Sequence, residues 1–358
     1  MTAPTPLVSI VTPVYNGAEF LPQCIESVLA QTYQNWDFTI VNNCSTDDTL
    51  EVCLQYARRD ARIRVASNPS FLKILENHNR ALTCISPKAK YCKVLFADDW
   101  LFPDCIEEMV ANAERHHSIG LVSSYALAGE RILCVGLPYP SHVVDGRDIC
   151  RRKLAGGLDV FGTPTTQLVR ADLVRKRSKF FNEANLHADT EACLDVLQES
   201  DFGFVHQILS YSRPRPNSND SFARRFETHQ LGMLLTFMKY GPIYLDRGAY
   251  GHYLKKRLKD YHRTLAKNVL RCRSMAFWRF HIEALRSVGW KIKPLRVAAS
   301  LPREVLRMLQ RPAASSRAGL IRWWNEALSR LFNRSSSEVR FPLTGRANRG
   351  TGSAAADR

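Results

Sequence analysis

Asp98 and Asp99 stand side by side in LFADDWLFPD (residues 95–104), directly after an apolar run fit for a buried strand. Adjacent carboxylates repel, and burying them unpaired is costly. The pair calls for something cationic. Carboxylates on a strand-end turn suit a hard divalent cation, whereas the plainer reading has them cap a helix that opens at Pro103. Other groups able to do chemistry are Thr12, Pro13, Tyr15 and Asn16 in VTPVYN, Asn42 and Asn43 in VNNCSTDDT, Asp189 and Glu191 in NLHADTEACLDVL, and Arg213 and Arg215 in SYSRPRPNSND. His116, His117 and His206 lack ligand spacing and read as solvated or core histidines. The ten cysteines include no C-x-x-C pair, so they read as reduced, buried thiols of a cytosolic chain.

The elements that must position these residues alternate. LVSIVTPVYN (7–16) is a short β-branched run stopped by Pro13, followed by Leu21, Ile25, Val28 and Leu29 at helical spacing. WDFTIV (36–41), RIRVA (62–66), KVLFA (93–97) and GLVSSYAL (120–127) read as further strands, with helices at 49–59, 72–83 and 103–113 between them. Such alternation predicts a parallel sheet covered on both faces, with its ligand crevice beyond the carboxyl ends of the strands. Asn42, Asn43, Asp98 and Asp99 fall at those ends. From 128 to 220 the alternation weakens, with helices expected near 146–155 and 189–199 and β-like runs in TQLVRA and GFVHQILSYS.

Charge divides the chain. Residues 221–358 hold 28 Lys+Arg against 8 Asp+Glu, a net of +20, while residues 1–220 hold 22 against 26, a net of −4. The basic part is helical in pattern and rich in Leu, Trp and Phe, including Trp323 and Trp324; after Arg334 its Ser, Gly and Arg content predicts disorder. Such a segment suits an anionic membrane surface first, then nucleic acid or a polyanionic substrate, or it is simply a set of solvated helix faces. No basic n-region with an apolar core opens the chain and no run approaches 18 apolar residues, so neither secretion nor membrane spanning is expected.

VSIVTPVYNGAEFLPQCIESVLAQTY (8–33), VNNCSTDDT (41–49), FADDWLFPD (96–104) and NLHADTEACLDVL (185–197) together resemble the family 2 glycosyltransferases of GT-A fold, in that family's order and spacing. The resemblance implies an inverting transfer of a sugar from a nucleoside-diphosphate donor to a glycan or lipid-linked acceptor, in cell-envelope or extracellular glycan synthesis. It implies a catalytic domain over 1–220, with a nucleotide-sugar half at about 1–127 and an acceptor half at about 128–220. A basic helical extension (221–333) and a tail (334–358) follow. Thr12, Pro13, Tyr15 and Asn16 would line the nucleoside pocket and Asn42 would read the base. Asp98 and Asp99 would hold Mn²⁺ or Mg²⁺, with their register open between metal and ribose; Asp98 also counts among the nucleotide contacts. Asp189 would be the general base with Glu191 its competitor, and Arg213 and Arg215 are either diphosphate contacts or surface residues. Two departures stand out. Phe96 occupies the position where many members carry a first Asp, and Asn42 and Asn43 replace a common Asp-Asp pair. The expected site is cytoplasmic, at the inner membrane face where the basic extension meets it. A nucleic-acid-binding protein and a non-catalytic nucleotide-sugar binder are the rivals, although no specific nucleic-acid module is recognisable.

Overall fold

The structure, a computed structural model, describes residues 5–185, 187–214 and 220–310. Its first half runs β1 (Val8–Val14), α1 (Leu21–Leu29), β2 (Trp36–Asn42), α2 (Thr49–Arg59), β3 (Ile63–Ser67), α3 (Ile74–Leu82), β4 (Tyr91–Val94), β5 (Trp100–Leu101), α4 (Cys105–Ala113) and β6 (Ile119–Ala128). Then come β7 (Arg131–Leu133), β8 (Val143–Val144), α5 (Gly146–Ala155), β9 (Gln167–Arg170), α6 (Ala171–Arg175), α7 (Ala188–Val196) and β10 (Asp201–Tyr211). The sheet order is β3-β2-β1-β4-β9-β6-β10-β5, with β7 on β6 and β8 on β10.

The sheet is α/β and mostly parallel through β3, β2, β1 and β4, but β9 is antiparallel to both β4 and β6, and β5, β7 and β8 are also antiparallel. This agrees with the expected mostly parallel sheet covered by helices on both faces and adds antiparallel strands to it. β5, β7 and β8 have only two or three residues each, too short for a periodic signal in the sequence. Because β6 and β10 run parallel to each other, the carboxyl ends of β1, β2, β4, β6 and β10 share one rim.

Strand β1 is buried along its whole length because helices cover both faces of the sheet. Val8, Ile10 and Val14 join a core with α1, α2 and α4, whereas Val11 joins the opposite core built on α3, α5 and α7. Pro13 sets where β4 leaves the sheet. Leu95 donates its N–H to the Val11 carbonyl (3.0 Å), but Pro13 has no N–H to continue the ladder. The Thr12 hydroxyl donates to the Leu95 carbonyl instead (2.7 Å). Strand β4 therefore ends at Val94, not Ala97, and three residues separate it from Asp98.

Packing continues past residue 220. After α8 (Asp220–Phe226), helix α9 (Thr228–Tyr244) places Phe237, Tyr240 and Tyr244 in the core of α5 and α7, while its Leu231 and Leu234 enter a third core. That third core is shared with α10 (Arg247–Leu270), α11 (Met275–Arg286) and α12 (Pro294–Ala298); α13 (Leu301–Gln310) also packs on α10. No helix among the described residues is long and apolar enough to cross a membrane. Trp323, Trp324 and the tail after Arg334 lie outside the described residues.

His281 ties this third core together. It is fully buried, its Nδ1 2.7 Å from the Tyr261 hydroxyl and its Nε2 2.8 Å from the Phe226 carbonyl. A neutral ring that donates to the carbonyl from Nε2 and accepts from the hydroxyl at Nδ1 satisfies both. Burial lowers its pKa from 6.5 to about 4, the Phe226 carbonyl opposing. The unfolded chain therefore binds a proton near pH 6.5 that the folded chain refuses until about pH 4. Stability is full above that window and falls as pH drops through it, by up to about 1.4 kcal/mol per pH unit from this residue. Urea titrations between pH 7 and pH 4 should show that fall, and His281→Gln should flatten its share while lowering stability at pH 7.

Candidate active site

The crevice at the strand-end rim begins with two loops stitched together. Asn16, in a left-handed conformation (φ +50°) that asparagine tolerates, accepts the Thr46 N–H at Oδ1 (2.8 Å), while its own N–H bonds the Ser45 hydroxyl (3.0 Å). Gly17 donates to the Thr49 hydroxyl (2.9 Å), and a Cβ there would lie 2.6 Å from Val14 Cγ2. Asp47 accepts from the N–H groups of Ala18 and Thr49 (both 3.1 Å), joining the turn before α1 to the start of α2. Burial alone would raise its pKa, but the Thr49 hydroxyl, which also donates to it, and these N–H groups outweigh it and hold the carboxyl below the usual range.

Of the residues expected at the nucleoside end, Thr12 and Pro13 are buried in β1, and the Thr12 hydroxyl is engaged by Leu95. Tyr15 is exposed at the rim and meets Phe71 edge to face at 4.9 Å. Phe71 lies between β3 and α3, and nothing in its spacing marks it. The two asparagines separate. Asn43 pairs both amide atoms with the Leu72 backbone, at 2.8 and 2.9 Å, and also accepts from Asn68. Asn42 accepts the Ser45 N–H at 3.2 Å, and its Nδ2 makes no hydrogen bond among the described residues.

The acidic pair also divides. Asp99 is buried, its Oδ2 accepting from the Thr165 hydroxyl (2.7 Å) and the Ser212 hydroxyl (3.3 Å) and its Oδ1 from the Arg213 N–H (2.9 Å). Burial raises its carboxyl to about 6; Thr165 opposes this and the neighbouring charge of Asp98 adds to it. Asp98 is only half-buried. Arg213 lies beside the pair, its guanidinium donating to the Asp98 backbone carbonyl (3.2 Å) and to Gln23 Oε1 (2.6 Å). It rests over the rings of Phe20 (4.5 Å) and Trp100 (5.2 Å), and Trp100 stacks on Tyr211 at 3.9 Å. Arg215 lies outside the described residues.

Neither aspartate caps α4, which begins at Cys105 after Asp104 with no side-chain cap. Phe96, at the departed Asp position, packs its ring on His78 (5.2 Å), and its N–H bonds the Thr165 hydroxyl (3.2 Å). Thr165 thus holds both ends of Phe96–Asp99. Its place in GTPTTQLV gave no sign of this.

On α7, Glu191 is buried and accepts from Asn182 and Asn185 (2.9 Å from the latter) and from Lys239 of α9 (2.5 Å). Asp189, one of the acids in the first turn of α7, is half-buried and accepts only the adjacent Thr190 N–H (2.8 Å) among the described residues. Desolvation raises its pKa; that N–H and the charges of Lys153 and His229 oppose the rise. Sequence spacing marked neither basic residue. His206 bonds Tyr125 and Ser141, and His116 bonds Ser118, as structural histidines do.

Among the described residues no three His, Cys, Asp or Glu side chains gather as a metal-binding group. The donor set fits a cation held by one carboxylate together with phosphate oxygens of a substrate, the usual habit of Mg²⁺ and similar ions.

A mostly parallel sheet flanked by helices, with acidic and asparagine side chains at its strand-end rim, defines an α/β domain of the GT-A type. Residues 9–132 match the profile described as Glycosyl transferase family 2. An uncharacterized glycosyltransferase of Haemophilus influenzae is 29% identical over 51% of this chain and 58% of its own length. The Bacillus subtilis protein TuaG, whose name assigns it to teichuronic acid biosynthesis, is 34% identical over 31% of this chain and 43% of its own. The chain thus spans about half the length of these relatives. Staphylococcus aureus TarS, solved with UDP-GlcNAc, shares the fold with a TM-score of 0.57 at 17% identity, over 78% of this chain and 79% of that one. A mannosyltransferase of Pyrobaculum calidifontis, solved with GDP-Man and Mn²⁺, gives 0.51 at 14% identity over 92% and 88%.

Glu191 reads as the joint between α7 and α9. Glu191→Ala should cost about 1–3 kcal/mol in chemical denaturation, through the asparagine donors left unsatisfied, whereas Asp189→Ala, which frees one first-turn N–H, should cost about 1 kcal/mol or less.

Proposed function

We propose that this chain is an inverting glycosyltransferase that moves a sugar from a nucleoside-diphosphate donor to an acceptor hydroxyl of a glycan or lipid-linked glycan, in cell-envelope or extracellular polysaccharide synthesis. One observation carries the reading. In each acidic pair one member is buried and consumed by internal hydrogen bonds, Asp99 and Glu191, while the other stays half-buried, Asp98 and Asp189. That division separates positioning from chemistry.

In this reading Asp98 is the carboxylate that holds Mn²⁺ or Mg²⁺ with the donor phosphates, and Asp99 positions it. A divalent cation supplies charge neutralisation of the departing diphosphate. Tyr15 and Phe71 flank the nucleoside, and the Asn42 amide bonds the base edge. Asp189 takes the proton from the acceptor hydroxyl as its oxygen bonds to the anomeric carbon, and the bond from that carbon to the diphosphate oxygen breaks on the opposite face. A raised pKa makes the carboxylate a better proton acceptor at neutral pH. Support for the donor class comes from the GT-A neighbours solved with UDP-GlcNAc and GDP-Man, for the cation from the one solved with Mn²⁺, and for the product class from TuaG. The basic helices after residue 221 rest on an anionic membrane surface.

Donor screening with UDP- and GDP-sugars, with and without Mn²⁺, tests the reading. Asp189→Asn should lower transfer by about 10²–10⁴-fold with donor affinity nearly unchanged, and Asp98→Asn should abolish the Mn²⁺-dependent rise in melting temperature that a nucleoside diphosphate gives. Wild-type transfer by Asp189→Asn removes it as the base. Donor binding without transfer or hydrolysis in the unmodified chain turns the reading into a binder.

A further inference from the structure

Away from the rim, α10, α11, α12, the turn between the last two and Leu301 of α13 line an open cavity of about 640 Å³, within the roughly 300–1,000 Å³ of ligand pockets. Its walls are apolar: Val269, Trp278, Ile282, Trp290 and Ile292 are among them, and its only charged lining residues among the described residues are Arg286 and Lys291. Trp278, Trp290 and Ile292 are half-buried, and Leu295 and Met275 on the same helices are 85% and 76% exposed. Apolar surface of this kind left to water is unfavourable and marks a binding site.

Charge says what kind. Residues 269–301 carry seven Lys+Arg and a single acid, Glu283. Arg271 and Arg273 are spent on Glu227, but Arg279, Arg286, Lys291, Lys293 and Arg296 enter no ion pair among the described residues. A free phosphate would find nothing to bond along an apolar wall, and a neutral hydrocarbon would leave the cations without a role. A nucleic acid would use the cations and leave the apolar volume empty. An amphiphile with one anionic end uses both.

We propose that this cavity seats one acyl chain of an anionic phospholipid, with the headgroup phosphate met by Arg286 and Lys291. The proposal builds on the membrane reading of the extension given above and narrows it from surface adsorption to a lipid held in a defined seat. Trp278 and Trp290 line that seat and report on it.

The test uses the full chain with Trp323→Phe and Trp324→Phe, mixed with vesicles of phosphatidylcholine alone or with added phosphatidylglycerol. Sedimentation reads membrane association, and quenching of tryptophan fluorescence by phosphatidylglycerol with brominated acyl chains reads entry into the cavity. The expected result is co-sedimentation with phosphatidylglycerol vesicles only, with quenching that Ala298→Phe, at a cavity-lining position, removes. Reversing the exposed pair, Arg286→Glu with Lys291→Glu, should weaken partitioning by about tenfold or more and needs no change to the apolar wall. Quenching that survives both variants, or that equals the quenching by brominated phosphatidylcholine, overturns the lipid seat while leaving surface association in place. No co-sedimentation in the unmodified chain overturns both, and leaves the residues after 310 or a second copy of the chain to cover the cavity.

Discussion

A carboxylate taken out of water has to be satisfied from every side, and Asp99 is satisfied by segments far apart in the chain. Thr165 comes from the turn before β9, Ser212 and Arg213 from the end of β10, and Asp99 itself from the loop after β4. The same Thr165 hydroxyl accepts the Phe96 N–H, and the same Arg213 guanidinium holds the Asp98 carbonyl. The loop that presents Asp98 therefore has its shape set by β4, β9 and β10 meeting correctly. The antiparallel insertion of β9 between β4 and β6 is what brings Thr165 within reach.

The second acidic pair repeats this division of labour in a different setting. Glu191 is consumed in holding α7 to α9, and Asp189, two residues before it, keeps a carboxylate tied to a single backbone N–H among the described residues. Two residues along a helix turn the side chain by roughly 200°, so neighbours of identical chemistry face different surroundings. Here one is bonded by Asn182, Asn185 and Lys239, and the other feels Lys153 and His229.

Helix α9 also explains why the basic extension is not a loose appendage. One face contributes Phe237, Tyr240 and Tyr244 to the core of the sheet domain, and Leu231 and Leu234 serve the helical core beyond it. The positive charge of the described residues after 221 is thus carried on helices anchored to the sheet domain, which fixes where a charged surface is presented relative to it.

The sequence by itself determined the strands and helices of the first half, because strict burial and helical periodicity leave little freedom over such lengths. It also placed Asn42 and Asp98 near their strand ends, since polar residues after apolar runs fall there, and Asp189 at the start of a helix. The end of β4 escaped it, because that end is set by the missing N–H of Pro13 on a neighbouring strand and not by the apolar run through Ala97. So did β5, β7 and β8, whose two or three residues carry no period. Above all, spacing could not separate Asp98 from Asp99, Asn42 from Asn43 or Asp189 from Glu191. Within each pair the side chains are alike or nearly so, and what separates them is the partners each one finds: Thr165, Ser212 and Arg213 for Asp99, Leu72 and Asn68 for Asn43, and Asn182, Asn185 and Lys239 for Glu191. Most of those partners lie tens of residues away, and only the tertiary structure decides which member of a pair they consume.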